Sequence, residues 1–219
     1  MKNYLKILKR CPLFEEIGDD DLLRMLHCLG ARVESFDKKY TIFAEGSEAK
    51  LIGIVLSGSA QVIQIDYFGN RSILSKIGVG EVFAEAFAAA QTKSLPVSVI
   101  ASEPSLIMLI SCAHILHTCE NGCGFHHKLI FNLMKDLAHK TLVFHRRIEI
   151  TSKRTTRDKL LTYLNSEAKE QGKRSFDIPF DRQELADYLE VDRSGLSAEI
   201  SKLRREGILE SRKRHFRLL

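Results

Sequence analysis

Arg193, Ser194, Ser197, Ser201 and Arg205 fall on one side of a helix over residues 193–206, and Leu196, Ile200 and Leu203 fall on the other. The first side is short-chained and basic, with Lys202 beside it, and such hydroxyls and guanidinium forks suit insertion into a major groove. The apolar side has to be core. Upstream, Asp181 and Glu184 stand three apart in a capping-box pattern, with Phe180 and Leu185 at the flanking staple positions. The spacing predicts a helix through Leu189, a tight turn at Glu190-Val191-Asp192 with Val191 plugging the gap, and a second helix capped by Asp192 and ended by Gly207. Two helices joined by three residues make helix-turn-helix geometry, and Ala186 is small where they would cross. Arg182 and Gln183, at the start of the first helix, extend the candidate DNA-facing set. Residues 208–210 and 216–218 bracket Arg212-Lys213-Arg214-His215, a β-hairpin wing whose basic tip, Lys213 and Arg214, is placed to touch phosphates. The alternative is a helical protein–protein module. Cap, turn, core stripe and basic wing together favour double-stranded DNA.

A second group of reactive side chains lies between residues 112 and 127. Cys112, Cys119 and Cys123 share this stretch with His114, His117, His126 and His127. Cys119 and Cys123 are four apart and would share a helix face, although Gly122 and Gly124 point to a loop. Thiolates and imidazoles suit zinc, iron or haem, and paired thiols suit redox sensing, so Cys119, Cys123 and His126 are the candidate ligands. Buried free thiols beside a helix start are the structural alternative. The five cysteines are an odd number, and with no secretory signal they argue for reduced thiols rather than a disulfide framework. Enzyme chemistry finds less support. Residues 31–111 hold no histidine for a cupin-like metal site, and neither a Gly-rich phosphate loop nor a recognisable Ser-His-Asp motif is present.

At 219 residues, 44% hydrophobic and 28% charged, the chain has the composition of one large globular domain or two small ones. The longest apolar run, residues 106–110, is far short of the ~20 a membrane span needs, and the N-terminus lacks a signal-peptide pattern. A cytoplasmic protein with no membrane partner is expected. From Thr151 onward there are 16 Lys and Arg against 12 Asp and Glu, whereas the first 150 residues carry 17 against 16. The positive excess therefore sits with the DNA-binding candidate. Residues 1–30 read as helical, with Leu22, Leu23, Leu26 and Leu29 at helical spacing and Gly30 as a stop. Residues 31–112 hold short β-prone runs at 41–43, 52–56, 60–65, 72–74, 97–101 and 106–110 between turn signals, the pattern of a roll, barrel or sandwich. From Phe125 to Ile150, Ile130, Met134, Leu137, Thr141, Phe144 and Ile148 follow alternating steps of four and three. Such a heptad seam pairs with its own copy or lies on the β-domain. After a polar hinge at residues 151–156, Thr155 or Thr156 caps a helix towards Gln171, with Leu160, Leu161, Leu164 and Ala168 buried and Gly172 as its stop.

These segments, in this order, resemble the Crp–Fnr family of bacterial transcription regulators, relatives of the cyclic-AMP receptor protein. The resemblance is carried by Thr41-Ile42-Phe43-Ala44-Glu45-Gly46 with Leu56-Ser57-Gly58, by Gly80-Glu81-Val82-Phe83-Ala84-Glu85, by the long helix, and by residues 182–189 with Asp192-Arg193-Ser194. It implies an α+β chain: a cyclic-nucleotide-binding-like β-roll sensor over residues 1–118, a dimerisation helix over 119–150, and a winged helix-turn-helix domain over 151–219. It further implies a homodimer on a two-fold symmetric operator with half-sites one helical turn, roughly 34 Å, apart. A small effector would gate it, with RNA polymerase as a candidate partner. The effector pocket would be built from Gly80, Glu81, Val82, Phe83, Ala84, Glu85, Leu95 and Pro96.

Cyclic-nucleotide binders of this family hold the cyclic phosphate with an Arg-Ser or Arg-Thr pair. Here Leu95 and Pro96 stand at those positions, Ala84 replaces a glycine, and Lys93 is a point charge in another register. The effector expected is therefore not cyclic AMP. Cys11 and Cys28 are too sparse for the iron–sulfur cluster of the oxygen-sensing branch. Many relatives carry an arginine at the position of Ala198, and its absence leaves Arg193 to read a base edge while Lys202, Arg205 and the wing hold phosphates. The expected function is a sequence-specific DNA-binding regulator gated by an unidentified effector. A thiol- or metal-dependent redox sensor and an effector-independent DNA-binding dimer are the alternatives, and an enzyme is not expected.

Overall fold

The computed structural model describes residues 1–116 and 125–219, so Cys119, Cys123 and the expected boundary at residue 118 lie outside the described residues. The chain divides into two compact units, Met1–Ile65 with Leu74–Thr141, and Asp66–Ile73 with Leu142–Leu219. The first begins with α1 (Leu5–Leu8) and α2 (Asp19–Cys28), each preceded by a short 3-10 turn. Eight strands follow: β1 (Arg32–Phe36), β2 (Thr41–Phe43), β3 (Leu51–Ser57), β4 (Ala60–Ile65), β5 (Arg71–Ile77), β6 (Val82–Phe83), β7 (Ser98–Ala101) and β8 (Ser105–Ser111). The short α3 (Glu85–Ala89) lies between β6 and β7, and α4 (Cys112–Leu116) follows β8. The strands form two four-stranded sheets, in the orders β1-β8-β3-β6 and β2-β7-β4-β5.

Side-chain alternation explains where the core sits. In β3, Ile52, Ile54 and Leu56 join Met108 and Ile110 of β8 in a cluster that includes α1 and α2. Val55, Ile107 and Leu109 point the other way, into a second cluster with Ala60, Phe83 and Val99. Both strands are thus buried on both faces, which is why they read as unbroken apolar runs. Gly53 belongs to the same close packing, because a Cβ there would run into the Phe83 ring. β1 and β6 escape the sequence reading: β1 is a polar edge strand paired to β8, and β6 has only two residues.

The long helix α5 (Phe125–Thr151) covers the periodic stretch read from Phe125 to Ile150, but its apolar side chains face two ways. Leu129 and Leu133 are buried in the first cluster with Ile130 and Leu137 against it, whereas Phe131, Met134, Leu142, Val143, Phe144 and Ile148 are exposed. The expected seam therefore splits. Ile130 and Leu137 pack on the roll, and the exposed stripe runs Phe131, Met134, Ala138, Thr141, His145, Ile148, again in steps of three and four. Two heptad patterns share Met134, Thr141 and Ile148, and periodicity alone does not separate them.

The second unit holds α6 (Thr156–Gln171), β9 (Ser175–Asp177), α7 (Arg182–Leu189), α8 (Arg193–Arg205), β10 (Leu209–Arg212) and β11 (His215–Leu218), with the sheet ordered β10-β11-β9. The predicted caps are in place. Thr155 accepts from the Asp158 N–H, Asp181 and Glu184 close a capping box, Asp192 accepts from the Gly195 N–H, and Gly172 is left-handed beyond α6. One detail differs: Leu161 and Ala168 are half-buried, while Tyr163 is buried against Phe180 and Tyr188.

Candidate nucleic-acid interface and effector segment

Leu196, Ile200 and Leu203 are buried, which fixes the rotation of α8 and leaves Arg193, Ser194, Ser197, Ser201, Lys202 and Arg205 exposed. The Asp192 carboxylate accepts from the Gly195 N–H at 2.7 Å and from the Ser194 hydroxyl. The Ser194 hydrogen bond above all holds the Asp192 carboxyl below the usual carboxylate range. Ser194 thus serves the cap, and Ser201 donates to the Ser197 carbonyl at 2.9 Å. The far half of α8 is clamped from α6, where Arg157 donates to Glu206 at 2.7 Å and to Glu199 at 3.3 Å. The Arg157 hydrogen bond holds the Glu206 carboxyl low.

Lys213 and Arg214 form the turn between β10 and β11, with Lys213 left-handed at φ +55°. Beside the turn lies a cleft of about 720 Å³ lined by Asp177, Asp181, Arg182, Arg212, Lys213, Arg214 and His215. Its basic excess suits phosphate oxygens. Arg182 is half-buried, with its guanidinium carbon 5.5 Å from the Phe216 ring centroid. Its Nη1 is sealed without a hydrogen-bond partner among the described residues, and burial lowers its pKa. Arg182 is therefore partly a packing residue, which its helix-start position did not reveal. Gln183 is exposed and donates to Asp187 at 2.7 Å, while Arg214 lies 3.8 Å from Glu184. Ser175 Oγ lies 2.9 Å from His215 Nε2, and His215 Nδ1 lies 3.2 Å from Asp177 Oδ1. On an open sheet surface, with the Asp177 side chain 77% exposed, this row is cross-strand pairing.

The expected effector segment is arranged differently. Ala84 sits at φ +64°, a left-handed position that a glycine takes without steric cost. Val82, Phe83 and Leu95 are buried packing residues, and the Phe83 ring lies 5.6 Å from that of Phe43. Glu81 folds back on its own loop, accepting the Gly78 N–H at 2.6 Å, while Pro96 is exposed. Glu85 is 4% exposed and is met by Lys140 of α5. Lys140 Nζ donates to the Val82 carbonyl at 2.7 Å and to Glu85 Oε1 at 2.8 Å, and lies 3.1 Å from the buried Asp136. Two buried carboxylates thus share one lysine, and Glu85 Oε2 accepts no hydrogen bond among the described residues. The sequence offered no pointer to this partnership between residues 55 positions apart. Only the Asp136-to-Lys140 step of four on the roll-facing side of α5 hints at it.

Cys11 and Cys112 are buried and Cys28 is exposed. Burial pushes the Cys11 thiol up to about 12 and raises that of Cys112. His126 is 4% exposed, with Nε2 3.1 Å from the His114 carbonyl. Among the described residues no three His, Cys, Asp or Glu side chains come together as a metal-holding group. No helix among them is long and apolar enough to cross a membrane.

Comparison with known proteins places both units. A family model for the cyclic nucleotide-binding domain matches residues 33–121, and one for the Crp-like helix-turn-helix domain matches residues 158–219. No curated protein matches the sequence. Among solved structures, FixK2 from Bradyrhizobium japonicum is 20% identical over 86% of this chain and 92% of that one, with a TM-score of 0.66. The c-di-GMP responsive global regulator CLP of Xanthomonas campestris is 18% identical over 92% and 99%, with a TM-score of 0.74. TTHB099, a CRP-family transcriptional regulator from Thermus thermophilus, is 20% identical over 85% and 91%, with a TM-score of 0.61. At these identities the structures speak for the fold. The two family matches follow one another along the chain and together span more than half of it, and the chain belongs to the Crp–Fnr family of DNA-binding transcription regulators.

Proposed function

We propose that this chain is a homodimeric, sequence-specific regulator that lays α8 in the major groove of a two-fold symmetric operator. The observation that carries the reading is α8 itself: a buried apolar face fixes its rotation and turns Arg193, Ser197 and Arg205 outward on a unit that also bears a basic wing. Arg193 reads a base edge. Lys202, Arg205, Lys213 and Arg214 engage phosphates, and Arg182 adds a half-buried guanidinium at the cleft. The exposed stripe from Phe131 to Ile148 supports pairing of α5 with its copy, since side chains such as Phe131 at 64% and Met134 at 63% exposure would otherwise meet water. RNA polymerase as a partner and a cytoplasmic location belong to the same reading.

The effector is not cyclic AMP. Its phosphate would meet Leu95 and Pro96 in place of an arginine, and Glu85 Oε1 is already engaged by Lys140. The similar Xanthomonas regulator is c-di-GMP responsive, so cyclic dinucleotides belong in a ligand screen. Micromolar cyclic AMP binding in isothermal calorimetry would contradict this part.

Selection from a random duplex library, followed by anisotropy titrations, tests the DNA reading. The wild-type chain should select a symmetric sequence, and Arg193→Ala should lose about 1–3 kcal/mol of discrimination against scrambled DNA. An Arg193→Ala protein with full discrimination would sink the assigned role.

A further inference from the structure

Arg147 is 7% exposed, which is unusual for an arginine. It follows His145 by two residues and so leaves α5 on the side away from the exposed stripe. Its guanidinium is shared among three partners of the second unit. Nη1 donates to the Ile73 carbonyl of β5, Nη2 lies 3.4 Å from Glu190 Oε1, and the guanidinium carbon lies 4.9 Å from the Tyr188 ring centroid. Tyr188 is on α7, and Glu190 is the residue that ends it.

Glu190 is left-handed, at φ +54° and ψ +55°. This conformation strains any residue with a Cβ, and glycine would relax it. What glycine could not supply at this position is the carboxylate that faces Arg147. The main chain of the same turn is held separately: Lys159 of α6 donates to the Leu189 carbonyl at 3.1 Å and to the Glu190 carbonyl at 3.2 Å. Val191 and Asp192 come next, and Asp192 caps α8.

We propose that Arg147 is a positioning residue for DNA reading: by holding Glu190 and stacking on Tyr188 it ties the helix-turn-helix angle to the rotation of α5. The Ile73 contact makes the hairpin segment Asp66–Ile73 a second input to the same guanidinium. The proposal rests on the reading of α8 as the DNA-facing helix.

The test uses the full chain and the selected duplex. Glu190→Gly relieves the left-handed strain, so its thermal midpoint should hold or rise. Its discrimination between selected and scrambled duplex should nevertheless fall roughly 3- to 30-fold. Arg147→Met keeps an apolar stem over Tyr188 and should lose discrimination by a similar factor, and the double variant should be no worse than Glu190→Gly alone. Unchanged discrimination in folded Glu190→Gly, or additive losses in the double variant, overturns the proposal. If Arg147→Met does not fold, Arg147→Lys takes its place. Amide exchange across residues 189–194 needs no DNA. It should quicken in Arg147→Lys, and unchanged exchange also overturns the proposal. A wild-type chain that selects no sequence while exchange quickens refutes the DNA reading and leaves the coupling standing.

Discussion

The exposed face of α8 and the segment from Gly80 to Glu85 are built on opposite plans. Along α8, buried Leu196, Ile200 and Leu203 free the opposite face, and Arg193, Ser197, Lys202 and Arg205 meet solvent. In the roll, Val82 and Phe83 are spent on packing, and Glu85 is sealed against Lys140 and Asp136. A motif locates a segment; whether its side chains are available depends on partners elsewhere in the chain. The side chains on the outer face of α8 meet solvent as they stand, whereas Glu85 Oε1 is already held by Lys140.

The largest expected effect falls on the closed segment. Lys140→Ala strands two buried carboxylates and should cost about 3–5 kcal/mol in urea unfolding, with part of the loss recovered when Glu85→Gln is added. A loss too small to measure would erase the contrast, since Lys140 would then not be what holds the segment shut. Arg193→Ala should leave the thermal midpoint unchanged while discrimination falls by about 1–3 kcal/mol. A drop in the midpoint would mean that α8 is less open than its exposure indicates.

Arg214→Ala should weaken binding to all duplexes alike and reduce the slope of log affinity against log salt by about 0.9. A sequence-dependent loss would instead make the wing a base reader. Smaller still is an acid-limb effect. The Asp192 carboxyl is held low, chiefly by Ser194, so its cap stabilises the fold above the ordinary carboxylate range and is lost as pH falls through the folded value. Asp192→Asn should flatten that limb of the melting profile. Least consequential for the fold, alkylation at pH 8 should reach exposed Cys28 well before buried Cys11 and Cys112. Fast labelling of Cys11 would favour a thiol-sensing role for the described cysteines.

Legibility followed locality. The capping box at Asp181, the cap at Asp192, the core stripe of α8 and the span of α5 rest on residues within a few positions of each other, and all are present. What escaped depends on distant partners. β1 and β6 exist because β8 and β3 offer edges, and Ile130 and Leu137 were indistinguishable from a dimer seam until the roll claimed them. Arg182 read simply as a DNA-facing residue because its sequence neighbourhood omits Phe216, over which it stacks. Arg147 gave no local signal and Lys140 only its step of four from Asp136: both stand among several cations of a long helix and are made significant by Glu190 and by Glu85.

Hydroxyl-radical footprinting of the wild-type chain on its selected duplex tests the dimeric DNA reading most directly. Two protected patches related by a two-fold axis, their centres one helical turn or roughly 10 base pairs apart, are predicted. A single patch, or protection that ignores sequence, would contradict it.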